Sequence, residues 1–137
     1  MTMTKNEYRK GSHSIFSIQL HSYFVCKYRR KALTPEMIAR TREIIERICE
    51  VNNCILVEYG GDADHVHLLV DLHPDNNIAA FFGSLKSATS RILRQEFPDL
   101  VNKFYREGFW GRQKYYRSAG GAPLEKLKQY IDGHPHD

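Results

Sequence analysis

The sequence predicts an α+β fold, an antiparallel sheet with helices on one face. Three observations lead there. Four segments read as strands, two carry apolar stripes at helical spacing with a last helix between Pro123 and Pro135, and together they run β-α-β-β-α-β-α. The first six elements have the order of the split βαβ, ferredoxin-like arrangement, and the seventh is an added C-terminal helix. At 137 residues, 1–137 reads as one domain with room for a real core. Hydrophobic residues at 42% and charged residues at 26% are globular values.

Residues 1–13 read as a loose N-terminal arm. Ser14 to Lys27, "SIFSIQLHSYFVCK", is the first strand, partly alternating in polarity. Thr34 then caps a helix with Pro35 in its first turn. Ile38, Thr41, Ile44 or Ile45, and Ile48 give that helix its apolar stripe until Asn52-Asn53. "CILVEYGG" and "DHVHLLVDL" form a hairpin through a Gly-Gly-Asp-Ala-Asp turn. A second helix runs from about Asn77 to Phe97, burying Ile78, Phe81, Phe82, Leu85, Ala88 and Ile92, and Pro98 stops it. Lys114 to Ser118 is the fourth strand. Residues 119–123, "AGGAP", form a glycine-rich tether, and the last helix spans 123–134. Gly120 and Gly121 adopt many backbone conformations, so that helix is expected to be repositionable against the sheet.

Composition excludes several classes. No apolar run approaches the roughly 18 residues of a membrane span. The polar start, "MTMTKNEYRK", lacks the apolar centre of a signal peptide. Cys26, Cys49 and Cys54 have no metal spacing and cannot all pair, which suits reduced thiols and a cytoplasmic location. A net charge of +4 leans toward a polyanionic partner without identifying one.

The chemistry concentrates in "DADHVHLLVDL", Asp62 to Leu72. Residues i and i+2 of a strand share a face, so His65 and His67 project side by side and Val66 points away. Two imidazoles on one rigid element can share a divalent ion. They can equally be two half-exposed surface histidines, although the flanking "LLV" is where packing prefers aliphatics. Tyr130 and His134, four residues apart, share a face of the last helix. If that face docks over the pair, His134 becomes a third metal ligand and Tyr130 lies beside the ion. Otherwise Tyr130 is a packing residue and "HPH" a frayed tail; His134 and His136 binding metal by themselves is a further reading.

These motifs together resemble the single-tyrosine HUH transposases of small bacterial insertion sequences, including their REP-associated relatives. "DHVHLLV" resembles the histidine–hydrophobe–histidine motif, and a lone tyrosine follows on a late helix, with "KYRRKALTP" and "FWGRQKYYRS" between the ends. The likeness covers roughly Gly11 to His134. Relaxases resemble the chain less, since their tyrosine precedes the histidine pair, and rolling-circle initiators commonly carry additional domains.

The resemblance implies that His65 and His67 bind Mg²⁺ or Mn²⁺ and that Tyr130 is the nucleophile. It also implies a 5′-phosphotyrosine intermediate on single-stranded DNA, hairpin-marked element ends, and a homodimer in which the tyrosine helix of one subunit completes the site of the other. The family's Tyr-Ile-x-x-Gln motif has its glutamine ligand where this chain has His134, and its frequent proline where this chain has Ala63. Imidazole also ligates, so the metal role carries over to His134.

Single strands are held by positive charge along the backbone and aromatics against bases. Lys27 to Lys31 and Phe109 to Arg117 interleave both, and the second helix adds a basic strip. The candidate DNA contacts are Lys27, Arg29, Arg30, Lys86, Arg91, Arg112, Lys114 and Arg117, with Trp110 and Tyr115 either stacking or core. Two other readings stand beside the transposase: a domesticated hairpin-binding protein without cleavage, and a metallohydrolase using activated water.

Overall fold

The computed structural model describes residues 8–104, 108–119 and 124–133. In chain order the elements are β1 (Arg9–Lys10), β2 (Ile15–Phe16), β3 (Gln19–Val25), α1 (Pro35–Val51), β4 (Ile55–Asp62) and β5 (His65–Asp71). They continue with α2 (Ile78–Glu96), α3 (Pro98–Phe104), β6 (Tyr115–Ser118) and α4 (Leu124–Gly133). Strands β3 to β6 form one sheet in the order β4-β5-β3-β6, with every neighbouring pair antiparallel. This is the α+β, ferredoxin-like arrangement that the element order predicts.

Alternation along the strands sorts the two faces. Val66, Leu68 and Val70 of β5 and Phe24 of β3 enter a core with Met37, Ile44 and Ile45 of α1 and Phe81, Phe82 and Leu85 of α2. Both helices start at side-chain caps. Thr34 Oγ1 accepts from Met37 N at 3.2 Å, and Asn77 Oδ1 accepts from Ala80 N at 2.9 Å. In α2 the buried stripe continues through Thr89 and Leu93, while Ile78 in the first turn stays 43% exposed. The opposite face of the sheet carries a smaller cluster, Tyr23, Val25 and Tyr115, completed by Ile131 of α4. Thus α4 docks on the side away from α1 and α2.

Four local expectations are corrected. The described end of the N-terminal arm is held down: β1 pairs with β2, and Arg9 Nε donates to the fully buried Asp71 at 2.6 Å. Gln19 Nε2 donates to the other oxygen of Asp71 at 3.2 Å, so the carboxylate is paired and hydrogen-bonded as a buried charge requires. The first strand splits into β2 and β3, which belong to different sheets. The β4–β5 connection is only Ala63-Asp64, because Gly60, Gly61 and Asp62 pair with His67, Val66 and His65 inside the ladder. Finally, Pro98 ends α2 and also opens α3, as proline suits a first helical turn. Residues 120–123, most of the expected tether, lie outside the described residues.

Candidate active site

His65 and His67 lie on the α4 side of β5, with ring centroids 5.7 Å apart and planes 30° from parallel. Tyr23, opposite on β3, backs both rings at 5.4 and 5.6 Å. Gly60 faces His67 from β4. A Cβ there would come within 2.6 Å of His67 Nε2, so the missing side chain is the room the ring occupies. The glycine pair that suggested a turn therefore makes space in a strand.

Electrostatics treats the two rings differently. Burial, then the neighbouring His65, pushes His67 below the usual histidine range; Glu58 opposes and Lys128 of α4 adds to the shift. The neutral ring is the form that binds cations. His65 Nδ1 lies 2.8 Å from Asp64 Oδ1. Burial by itself would raise the Asp64 carboxyl. The hydrogen bond to His65, then the charges of His65 and Arg29, hold it below the usual carboxylate range.

The docked α4 narrows the space above His65 to a cleft of about 20 Å³, lined by Tyr23, Val25, Arg29, His65, Lys128, Ile131 and Asp132. Arg29 spans it, with Nη1 2.9 Å from Asp132 Oδ1 and Nε 3.4 Å from Asp64 Oδ2. Position 130 falls within α4, but the Tyr130 side chain and the whole of His134 lie outside the described residues. Among the described residues, no group of three or more His, Cys, Asp or Glu side chains could hold a metal ion.

The basic candidates divide. Lys27, Lys86, Arg91, Arg112 and Lys114 line one groove of about 960 Å³, together with Arg94, Ser87 and Ser90. It runs along α2, on the face opposite the histidines. Lys86 Nζ donates to Gly111 O at 2.7 Å; burial, then Lys114, pushes its pKa down to about 8. Arg29 instead belongs to the histidine cleft. Arg30 is exposed with its guanidinium 5.6 Å from the Tyr28 ring centroid, and Arg117 pairs with His21 across the sheet on the histidine side. The expected second set of exposed aromatics is corrected: Phe109, Trp110 and Tyr115 are buried, and Trp110 Nε1 donates to Thr89 Oγ1 at 2.9 Å. That segment offers its charges to solvent and keeps its rings for the core.

Residues 14–134 match the family described as "Transposase IS200 like". The transposase of insertion sequence IS200 from Salmonella typhimurium is 32% identical over 120 residues, which are 88% of this chain and 78% of that protein. The chain belongs to the IS200-like transposase family. The ISDra2 transposase TnpA of Deinococcus radiodurans is 25% identical over 131 residues, 96% of this chain and 93% of that one. A crystal structure described as a transposase from Deinococcus radiodurans superimposes with a TM-score of 0.84 at 25% identity, covering 94% of this chain and 99% of that one. A REP-associated tyrosine transposase, solved with a REP hairpin, shares the fold at a TM-score of 0.53 and 11% identity, covering 96% of this chain and 69% of that one.

Family membership makes the chain an enzyme that cleaves and transfers DNA, and transposases of this family use a divalent metal. Two features of this IS200-like transposase fit such an ion. His67 Nδ1 is buried with no hydrogen-bond partner, a state that calls for an explanation such as a bound ion. His65 has Nδ1 engaged by Asp64, which leaves Nε2 to ligate. Tyr23, Asp64 and Gly60, which sequence reasoning passed over, are what hold the rings in place. The strand register could have found Gly60, since it is His67's direct partner. No described helix of this transposase is long and apolar enough to cross a membrane.

Proposed function

We propose that the chain acts as a single domain that cuts and rejoins single-stranded DNA at hairpin-marked ends of an insertion sequence. The observation that carries this reading is the pair His65 and His67, adjacent on β5 and overhung by α4, the helix that includes position 130. His65 and His67 would hold Mg²⁺ or Mn²⁺, ions whose preference for oxygen leaves room for a phosphate substrate. His134 is the proposed third protein ligand, in place of the family's glutamine. When bound, the cation polarises a phosphate oxygen and offsets the charge that builds up in the transition state.

Tyr130 is the nucleophile. Its phenolic oxygen bonds to phosphorus, the bond to the 3′ oxygen breaks, and the phenolic proton is given up while the leaving 3′ oxygen becomes a hydroxyl. The resulting 5′-phosphotyrosine ester keeps the bond's free energy, so rejoining needs no nucleotide cofactor. A free tyrosine has a pKa of about 10 and therefore needs a nearby positive charge to react at neutral pH. Lys128, on the same helix and close enough to His67 to influence it, adds such charge.

DNA enters along the α2 groove, where Lys27, Lys86, Arg91, Arg112 and Lys114 meet phosphates. The loop from Lys27 to Arg30 leads from the groove edge to the histidine cleft, with Tyr28 alone between the groove lysine and Arg29. Arg30 and Arg117 are proposed contacts outside the groove. A homodimer, with α4 completing either its own site or the partner's, is part of the proposal, and the resemblance to the family supports it.

Incubation with labelled hairpin-bearing single strands and Mn²⁺, read on a denaturing gel, tests the class. A covalent protein–DNA adduct is expected, and Tyr130→Phe should abolish it. Binding without any adduct would instead favour a hairpin-binding protein that has lost cleavage; strand scission without an adduct would favour activated water.

A further inference from the structure

An imidazole offers a cation one nitrogen at a time, and a ring free to turn divides its population among orientations and tautomers. His65 is not free to turn. A carboxylate only accepts, so with Asp64 Oδ1 at 2.8 Å its Nδ1 must carry the hydrogen, and the lone pair is confined to Nε2. Asp64 is anchored in turn. Its carbonyl accepts from Cys26 N at 2.9 Å, and its second oxygen faces Arg29 Nε at 3.4 Å.

Arg29 comes from a costly piece of backbone. Tyr28 and Arg29 both have left-handed φ, 58° and 53°, a conformation that bulky residues avoid unless their surroundings impose it. That backbone aims the guanidinium at two carboxylates from separate segments. Beyond Asp64 it reaches Asp132 Oδ1 at 2.9 Å. Asp132 occupies the last turn of α4, where the helix dipole disfavours an anion and that turn holds no basic residue. Arg29 supplies that compensation from outside. Asp132, Arg29, Asp64 and His65 thus form one continuous charge chain from α4 to β5.

We propose that Asp64 and Arg29 are positioning residues of the metal site: Asp64 holds His65 with Nε2 open, and Arg29 ties that orientation to the docking of α4 through Asp132. The inference rests on the reading of His65 as a metal ligand. It adds that undocking α4 loosens the ring, so the site is best formed when the tyrosine helix is in place.

Mn²⁺ titration calorimetry on the full chain, with ¹⁵N imidazole spectra recorded without metal, tests this. Asp64→Ala should weaken Mn²⁺ binding about 10- to 100-fold, the usual cost of removing a carboxylate behind a ligating histidine. Asp64→Asn keeps an acceptor for Nδ1–H and should recover most of that loss. Arg29→Ala and Asp132→Ala should each produce a smaller loss, and the double variant no more than either. The spectra should show His65 as the Nδ1–H form in wild type and as a mixture in Asp64→Ala. Wild-type affinity in Asp64→Ala, with binding lost in His67→Ala, would overturn the positioning role and leave the metal reading intact. Undiminished binding in His67→Ala would overturn the metal reading instead. The metal-free spectra then still decide whether Asp64 and Arg29 set His65: a mixture confined to the variants upholds it, an unchanged ring refutes it.

Discussion

The two clefts of this transposase handle charge in opposite ways. The α2 groove gathers Lys27, Lys86, Arg91, Arg94, Arg112 and Lys114 in about 960 Å³, and among the described residues that line it none is acidic. Its cations repel one another enough for Lys114 to help push Lys86 down to about 8. The histidine cleft, on the other face of the sheet, is about 20 Å³ and sets Arg29 against Asp64 and Asp132. A surface meant for a polyanion leaves positive charge for the ligand to neutralise. A site that must hold rings still neutralises its own charge and uses the pairs as props. Binding and chemistry should therefore separate under mutation.

The sharpest break in that comparison is His67→Ala. Losing a ligand removes transition-state stabilisation of several kcal/mol, so cleavage should fall by about a thousandfold or more. Affinity for hairpin DNA, which the proposed function assigns to the far groove, should stay near wild type by fluorescence anisotropy. Chelation of the metal should mimic the variant. A parallel collapse of binding would mean that the two clefts are one site.

Gly60→Ala should come next. The added methyl would meet His67 at 2.6 and 2.9 Å, closer than real contacts allow, and the imidazole must move. Displacing a group at the reacting centre by about 1 Å can cost on the order of 100-fold in rate. The strand itself should tolerate alanine, which has no glycine entropy cost. Cleavage lost with the melting temperature held would place the effect in the ring, whereas equal losses would make Gly60 merely structural.

Much of this arrangement was legible in the sequence. Thr34-Pro35 and Asn77 mark helix starts by local chemistry, and the two-residue period of β5 puts both histidines on one face without tertiary information. The parts that could not be read depend on distant partners. Arg9 is held by Asp71, 62 residues away, so a polar N-terminal stretch looks loose until the fold closes. Arg29 resembles any cation of a basic loop, because its partners lie at positions 64 and 132. Gly60-Gly61 carries the signal of a turn, and only the register shows a ring filling the place of a Cβ. Phe109 and Trp110 look like stacking residues beside arginine and lysine, yet exposure belongs to the packed molecule, and both are core.

The smallest expected effect probes the groove alone. Lys86, at about 8, is mostly charged at neutral pH and loses its proton as pH rises further. Phosphate favours the charged amine, so a DNA-bound Lys86 titrates higher than the free one. Affinity is then full below a pH of about 8 and declines above it, by at most about tenfold per pH unit until the bound form also titrates. Arginine stays charged throughout that range. Anisotropy titrations at fixed salt should therefore show wild-type affinity falling between about pH 8 and about pH 9, and Lys86→Arg holding level. If both proteins decline together, Lys86 does not meet a phosphate, and its amine serves only to tie Gly111 to α2.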